Sequence, residues 1–333
     1  MKNSVIKNIL VNLRALFSVN LNKRINENAR RIECLEDATA GLDEKMTEKY
    51  YYHEVLGYFA RHEEESQAYA KELAFLREYG SYCTFPYPLK QERDGVVSGF
   101  DAASGMPYVV HDGKKLYFAS KYSESQAVEM YWSYIHAEKL LGVEDGTGAP
   151  HQYQSPKVHV EKGDVVFDIG AAEGLFALDQ MDKASRVVIV ESNPQWFLPL
   201  RHTFAPYGDK VIIVEKMVSA TDTENTVSLK TLLSKMCDCP VFVKMDIEGS
   251  ELPTITSVAE TLKENNGIKI VAASYHRQYD ADELKAIFDQ VDYDSEFSQG
   301  YMLFHSYDTP IPPFFRHGVI RAKSNLRIKD LLS

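Results

Sequence analysis

The sequence predicts an α/β protein: a doubly wound, mostly parallel sheet of seven strands behind a helical N-terminal extension. Three observations predict it. Val165-Val166-Phe167 is an apolar run suited to a strand covered on both faces, and it leads through Asp168 and Ile169 into the turn Gly170-Ala171-Ala172-Glu173-Gly174. Helical spacing resumes at Leu175, Phe176 and Leu178, so the segment reads strand, glycine turn, helix. A second wholly apolar run, Val187–Val190, ends on Glu191, and further strand-like runs recur towards residue 305.

The chain has 333 residues, enough for about two domains. Its net charge of −11 and pI near 5.4 argue against a nucleic-acid-binding body. Cys34, Cys83, Cys237 and Cys239 are too scattered for a disulfide framework and suit a reducing cytoplasm. Cys237 and Cys239 lack the second pair that a zinc site needs and read as free thiols. No stretch approaches the roughly 20 apolar residues of a membrane span, and no cleavage site follows the N-terminal apolar patches.

Taken in order, residues 1–95 are expected to be helical. Ile6, Ile9, Leu10, Leu13, Leu16 and Phe17 fall on one face with Lys2, Lys7 and Arg14 between them. Such a basic helix packs on protein, or lies peripherally at the inner face of a membrane. Leu21, Ile25, Asn28, Ile32, Leu35, Thr39, Leu42 and Met46 trace imperfect heptads, readable as a short coiled coil joining two copies or as a helical hairpin. Residues 48–79 continue as helix anchored by Tyr50, Tyr51, Tyr52, Leu56, Phe59 and Leu73. Residues 96–150 form a second unit. A hairpin is expected over 108–118 around Asp112-Gly113, then a helix over 123–141 capped by Ser123. Gly146, Gly148 and Pro150 mark the linker.

The third unit spans 151–310. Strands are expected at 165–169, 186–190, 211–214, 241–246, 267–273 and 301–305, with a short one near 293–297. Pro310, Pro312 and Pro313 are expected to close the sheet, leaving 311–333 as a basic tail that folds back as strand and helix.

In this fold a ligand lies beyond the carboxyl ends of the strands. Glu191, at the tip of the second strand, is placed to accept hydrogen bonds from both hydroxyls of a ribose. A dinucleotide enzyme would want Gly-x-Gly-x-x-Gly, but Ala172 and Leu175 occupy the later positions. A nucleoside without phosphates, such as S-adenosylmethionine, fits better. Asp168 either reaches the cofactor or holds the glycine turn. Asp246, Glu248 and Glu251 crowd the end of the strand at 241–246. Acids there either serve a site or satisfy a helix N-terminus. Lys244 should share a face with Asp246. His276 ends the next strand and is suited to proton removal near neutral pH. His111, His151 and His159 are less well placed. No spacing forces a divalent-metal site, and metal need is left unknown.

Asp168-Ile-Gly-Ala-Ala-Glu-Gly174 and Glu191-Ser-Asn-Pro194 resemble the first two motifs of class I S-adenosylmethionine methyltransferases. Val243-Lys-Met-Asp-Ile-Glu-Gly-Ser-Glu251 resembles the signature of the FkbM methyltransferase family, and the likeness covers about residues 151–306. The resemblance implies a Rossmann-like methyltransferase sheet with an antiparallel last strand, and O-methylation of a sugar, glycan intermediate or small natural product. It implies cofactor contacts at Asp168, Gly170, Ala171, Gly174, Glu191, Ser192, Val218, Ser219 and Asp246. Substrate contacts are expected at Glu248, Glu251 and Tyr153, with catalysis by His276 and Asp246. The 96–150 unit would then lid the substrate pocket.

Two positions depart from the family pattern: Ala172 stands where Asn is usual, and Lys230 where Asp follows Ser-Leu. The rival functions are a catalytically silent methyltransferase-like scaffold and a nucleotide-dependent oxidoreductase, the latter disfavoured by the glycine pattern.

Overall fold

The computed structural model describes residues 41–87, 95–142, 148–234, 239–265 and 267–325. The basic N-terminal helix, the heptads up to Thr39, Gly146 and Cys237 fall outside these residues. Cys83 and Cys239 are free thiols.

Seven strands form the central sheet: β4 (Val165–Ile169), β5 (Arg186–Glu191), β6 (Val211–Glu215), β9 (Val241–Met245), β10 (Ile268–Ala273), β11 (Tyr293–Phe297) and β14 (Val319–Ser324). Their order across the sheet is β11-β14-β10-β9-β4-β5-β6. β4 pairs in parallel with β5 on one side and β9 on the other; β5 pairs with β6 and β9 with β10 likewise. β14 alone runs antiparallel, wedged between β10 and β11. Chain order reverses at β4, which is therefore the switch point where a crevice opens.

Strand alternation sends neighbours to opposite faces, and both faces are apolar because both are covered. Phe167, Val243 and Ile270 pack with Ile255, Leu284 and Phe288, which belong to α8 (Glu251–Ser257) and α10 (Asp280–Gln290). Val166, Phe242 and Val271 face the other way, towards α5 (Leu175–Asp179) and α6 (Pro194–Phe204).

The hairpin appears as β2 (Met106–His111) and β3 (Lys114–Tyr117), with β1 (Ser98–Asp101) added at its side. Asp112 and Gly113 have φ of 46° and 76°, the paired positive values that a two-residue hairpin turn requires. Val109, Leu116 and Phe118 dock this sheet onto the α5–α6 side. Ser123 caps α4 (Glu124–Trp132) with a complete capping box, and a π-helical stretch follows to Ala137, short of the expected residue 141. A helix over 41–61 and α3 (Ala70–Tyr79) bury Val55, Phe59, Leu73 and Leu76 against Leu303, Phe314 and Phe315.

One expected strand is corrected. Residues 301–305 do not join the sheet; only Met302–Leu303 (β12) pairs, with Phe315–Arg316 (β13). The antiparallel strand is β14, beyond the three prolines, so the sheet extends past residue 310. Arg321 interrupts its apolar run and disguised it as a basic tail. The guanidinium is buried and donates to the carbonyls of Tyr153 and Gln152, tying the segment before β4 to the sheet. Among the described residues no helix is long and apolar enough to cross a membrane.

Candidate active site

A cleft of about 450 Å³ opens at the carboxyl ends of β4, β5 and β9. Gly170 lets the turn after β4 approach the end of β9. Its φ is 71°, and a Cβ there would lie 1.8 Å from the Asp246 carbonyl oxygen. Gly174, at φ 89°, plays the same part for α6, since a Cβ would strike Leu200 and Phe204 at 2.8 Å. Ala172 adopts φ 48° between them, a left-handed conformation on a residue with a side chain.

Glu191 lies on the cleft wall. One carboxylate oxygen accepts from Ala172 N–H (2.8 Å); the other accepts from the N–H groups of Ser192 (2.8 Å) and Asn193 (2.6 Å). A carboxylate has about four acceptor directions. Three are used, and the open one is on the oxygen beside the glycine turn. Asn193 caps α6, Pro194 takes its first position, and this first turn brings Trp196 to the cleft.

The other wall is a network of charged side chains. Tyr153 donates to Asp246 Oδ2 at 2.7 Å, and His151 Nε2 lies 3.3 Å from the same oxygen. His151 Nδ1 lies 3.2 Å from Glu138, at the end of the π-helical stretch. Asp246 Oδ1 turns towards His276 Nε2 at 3.5 Å, and Glu248 Oε2 approaches the same nitrogen at 3.4 Å. Glu251 lies 3.2 Å from His276 Nδ1 and accepts from the Ile247 N–H. Tyr307 donates to Glu248.

These contacts set the charges. Burial works against ionisation of Asp246. The hydrogen bond from His151 and the charges of His276, His151 and Lys244 outweigh it and hold the carboxyl well below the usual carboxylate range. Burial likewise disfavours a charged His276, but Glu248, Glu251 and Asp246 push its pKa up to about 10. For His151, Asp246 and Glu138 overcome burial and raise it to about 9.

Of the residues expected at the site, Gly170, Glu191, Ser192, Val218, Asp246 and Glu248 line the cleft. Ala171 and Gly174 build the turn behind it, and Ser219 sits beside Val218 on β7 (Met217–Ser219) without lining it. Asp168 is fully buried. It pairs with Lys244 at 3.1 Å and accepts from Ala177 N–H, while Lys244 donates to the Gly170 carbonyl. These contacts give Asp168 a part in holding the turn. Tyr153 and Glu251 are buried too, and they contact Asp246 and His276 respectively.

His276 is 1% exposed and ringed by carboxylates. These carboxylates favour the charged ring, which sets it against the proton-removing role expected from its position. His276 and Asp246 end adjacent strands, β10 and β9, and their side chains face one another at 3.5 Å. Sequence reasoning missed Trp196 and Lys216 on the cleft, and His151, Glu138 and Tyr307 behind it. The Asn193-Pro194 helix start was the available signal for Trp196.

No protein-family model matches the chain. No curated protein matches it. Among solved structures it is similar to precorrin-6y C5,15-methyltransferase from Geobacter metallireducens (16% identity, TM-score 0.35, covering 51% of this chain and 84% of that one). It is also similar to M. jannaschii TYW2 in complex with AdoMet (15%, TM-score 0.36, 66% and 85%) and to M. jannaschii tRNA m1G37 methyltransferase (16%, TM-score 0.36, 67% and 55%). At these scores the likenesses carry no conclusion about activity.

Proposed function

We propose that the chain is an S-adenosylmethionine-dependent O-methyltransferase of the FkbM type, acting on a hydroxyl of a sugar, glycan intermediate or small natural product. The observation that carries the cofactor is Glu191: a strand-end carboxylate at the switch point, fixed by three backbone N–H groups, with an acceptor direction left for a ribose hydroxyl. The acceptor class follows from the likeness of Val243–Glu251 to the family signature.

Methyl transfer from a sulfonium is a direct displacement. The methyl carbon bonds to the acceptor oxygen, and the C–S electron pair stays on sulfur as a thioether. The protein's task is alignment. Asp246 and Glu248 are both on the cleft wall; Asp246 accepts from the methionine amino group and Glu248 from the acceptor hydroxyl. The hydroxyl becomes strongly acidic as the C–O bond forms, so the weakly basic Glu248 suffices to take its proton late in the transfer. His276 holds these carboxylates in place.

Thermal denaturation tests the reading. S-adenosylhomocysteine should raise the melting temperature and NAD should not. Material from cells with and without the gene should then differ by one methyl group on a hydroxyl. Stabilisation by NAD alone would make the chain an oxidoreductase. Stabilisation by S-adenosylhomocysteine with no methylated product would make it a binding protein.

A further inference from the structure

We propose that Asp246, Glu248 and His276 bind a divalent transition-metal cation at the carboxyl ends of β9 and β10.

The first ground is a polar atom left over. The imidazole of His276 is almost fully enclosed, and Glu251 Oε1 faces its Nδ1 at 3.2 Å. Glu251, enclosed to the same degree, leaves Oε2 without a hydrogen-bond partner. Buried polar groups are normally satisfied, and this one belongs to the carboxylate that faces the ring. Ligand-type atoms of Asp246, Glu251 and His276 all lie within 4.8 Å of one another.

The second ground is distance. His276 Nε2 is 3.5 Å from Asp246 Oδ1 and 3.4 Å from Glu248 Oε2. Charge-assisted N–H···O bonds run about 2.7–2.9 Å. These separations are longer, and they match two donors of one cation: bonds of about 2.0–2.2 Å place tetrahedral neighbours roughly 3.4 Å apart.

The third ground is the support behind the donors. A metal-bound imidazole commonly presents its other nitrogen to a carboxylate, and Glu251 faces His276 Nδ1 at 3.2 Å. Tyr153 and His151 occupy Asp246 Oδ2, which leaves Oδ1 turned towards the ring. Glu248 reaches the site through a backbone φ of 57°, a left-handed conformation that strains a residue with a side chain. Such strain persists where the surroundings fix it, commonly at functional sites.

Charge balance agrees. Glu138, Asp246, Glu248 and Glu251 face His151 and His276 in this network, with Lys244 acting on Asp246 from beside it. One imidazole with two carboxylates favours Mn2+, Fe2+ or Zn2+ over calcium, which takes oxygen alone. A cation there would offer its remaining positions to the cleft, beside Asp246 and Glu248, and would polarise an oxygen bound in it.

A second grouping, His111, Asp112 and Asp179, supplies a control. There His111 meets Tyr131 at one nitrogen (2.9 Å) and Asp179 at the other (3.3 Å), and the Asp112 side chain is 74% exposed.

The test uses the full chain after chelator treatment and Mn2+ alone, followed by the loss of the free Mn2+ resonance signal. One equivalent should bind in the micromolar range. Asp246→Asn and Glu248→Gln should each weaken binding at least tenfold, while His111→Gln leaves it unchanged. The Glu248 side chain is 70% exposed, so Glu248→Gln gives a folded protein for the comparison even if Asp246→Asn does not. Absence of saturable binding up to millimolar Mn2+ overturns the proposal. So does binding that survives Glu248→Gln, or that moves with His111→Gln. Because no acceptor or S-adenosyl compound is present, the result is independent of the methyltransferase reading.

Discussion

On the β4–β5 side of the cleft a ligand meets Gly170, Ala172 and a single carboxylate, Glu191, held by three backbone N–H groups. On the β9–β10 side it meets Asp246 and Glu248, which a network of side chains from Glu138 to Tyr307 fixes by opposed charges. The first wall is rigid because the chain path allows little else. The second is rigid only while its ionisation states hold. The β4–β5 wall should therefore fail through backbone substitutions, and the β9–β10 wall through changes of charge and pH.

The largest expected effect is on the backbone wall. Gly170→Ala places a Cβ 1.8 Å from the Asp246 carbonyl oxygen and forces a side chain onto φ 71°. The β4 turn and the end of β9 cannot both stay in place. Thermal denaturation should show a loss on the order of 4 kcal/mol or more, or no cooperative transition. A melting temperature within a few degrees of wild type would mean that the two strand ends are not held this closely.

The next effect belongs to the charged wall and concerns pH. His151 and His276 have folded-state pKa values raised to about 9 and about 10, above the unfolded value of about 6.5. Their stabilisation is complete below pH 6.5 and is lost as pH rises through 9 and 10. Asp246 is shifted the other way, so its contribution is lost only in acid. In metal-free protein, stability should fall by a few kcal/mol, in order of magnitude, between pH 6.5 and 10. His276→Gln should be flatter over that interval. If the two slopes coincide, His276 is neutral in the folded protein and the proton-removal role regains its basis.

The same contrast governs what the sequence made legible. Strand, glycine turn and strand-end acid lie within 27 residues of one another and obey local rules, so Gly170, Glu191 and the switch point at β4 could be read directly. The motif at 243–251 was equally visible, but its acids look alike in sequence. Only packing separates Asp246 and Glu248, on the cleft, from Glu251, sealed beneath His276. Asp168 gave no sign that Lys244 would reach across from β9 to pair with it. His151 and Glu138 were illegible because their roles depend on contacts across 95 and 13 residues of chain. β14 was masked by Arg321, whose charge is satisfied by carbonyls that no local pattern announces.

The most direct test of the division between the walls is calorimetric titration of S-adenosylhomocysteine into wild type, Glu191→Gln and Glu248→Gln. Glu191→Gln replaces an acceptor oxygen by an amide and should weaken binding at least tenfold, about 1.4 kcal/mol, within the range for a hydrogen bond to a charged group. Glu248→Gln should stay within about threefold of wild type, since that residue serves the acceptor. Unchanged affinity in Glu191→Gln, with the loss appearing in Glu248→Gln, would contradict the account and move the nucleoside to the charged wall.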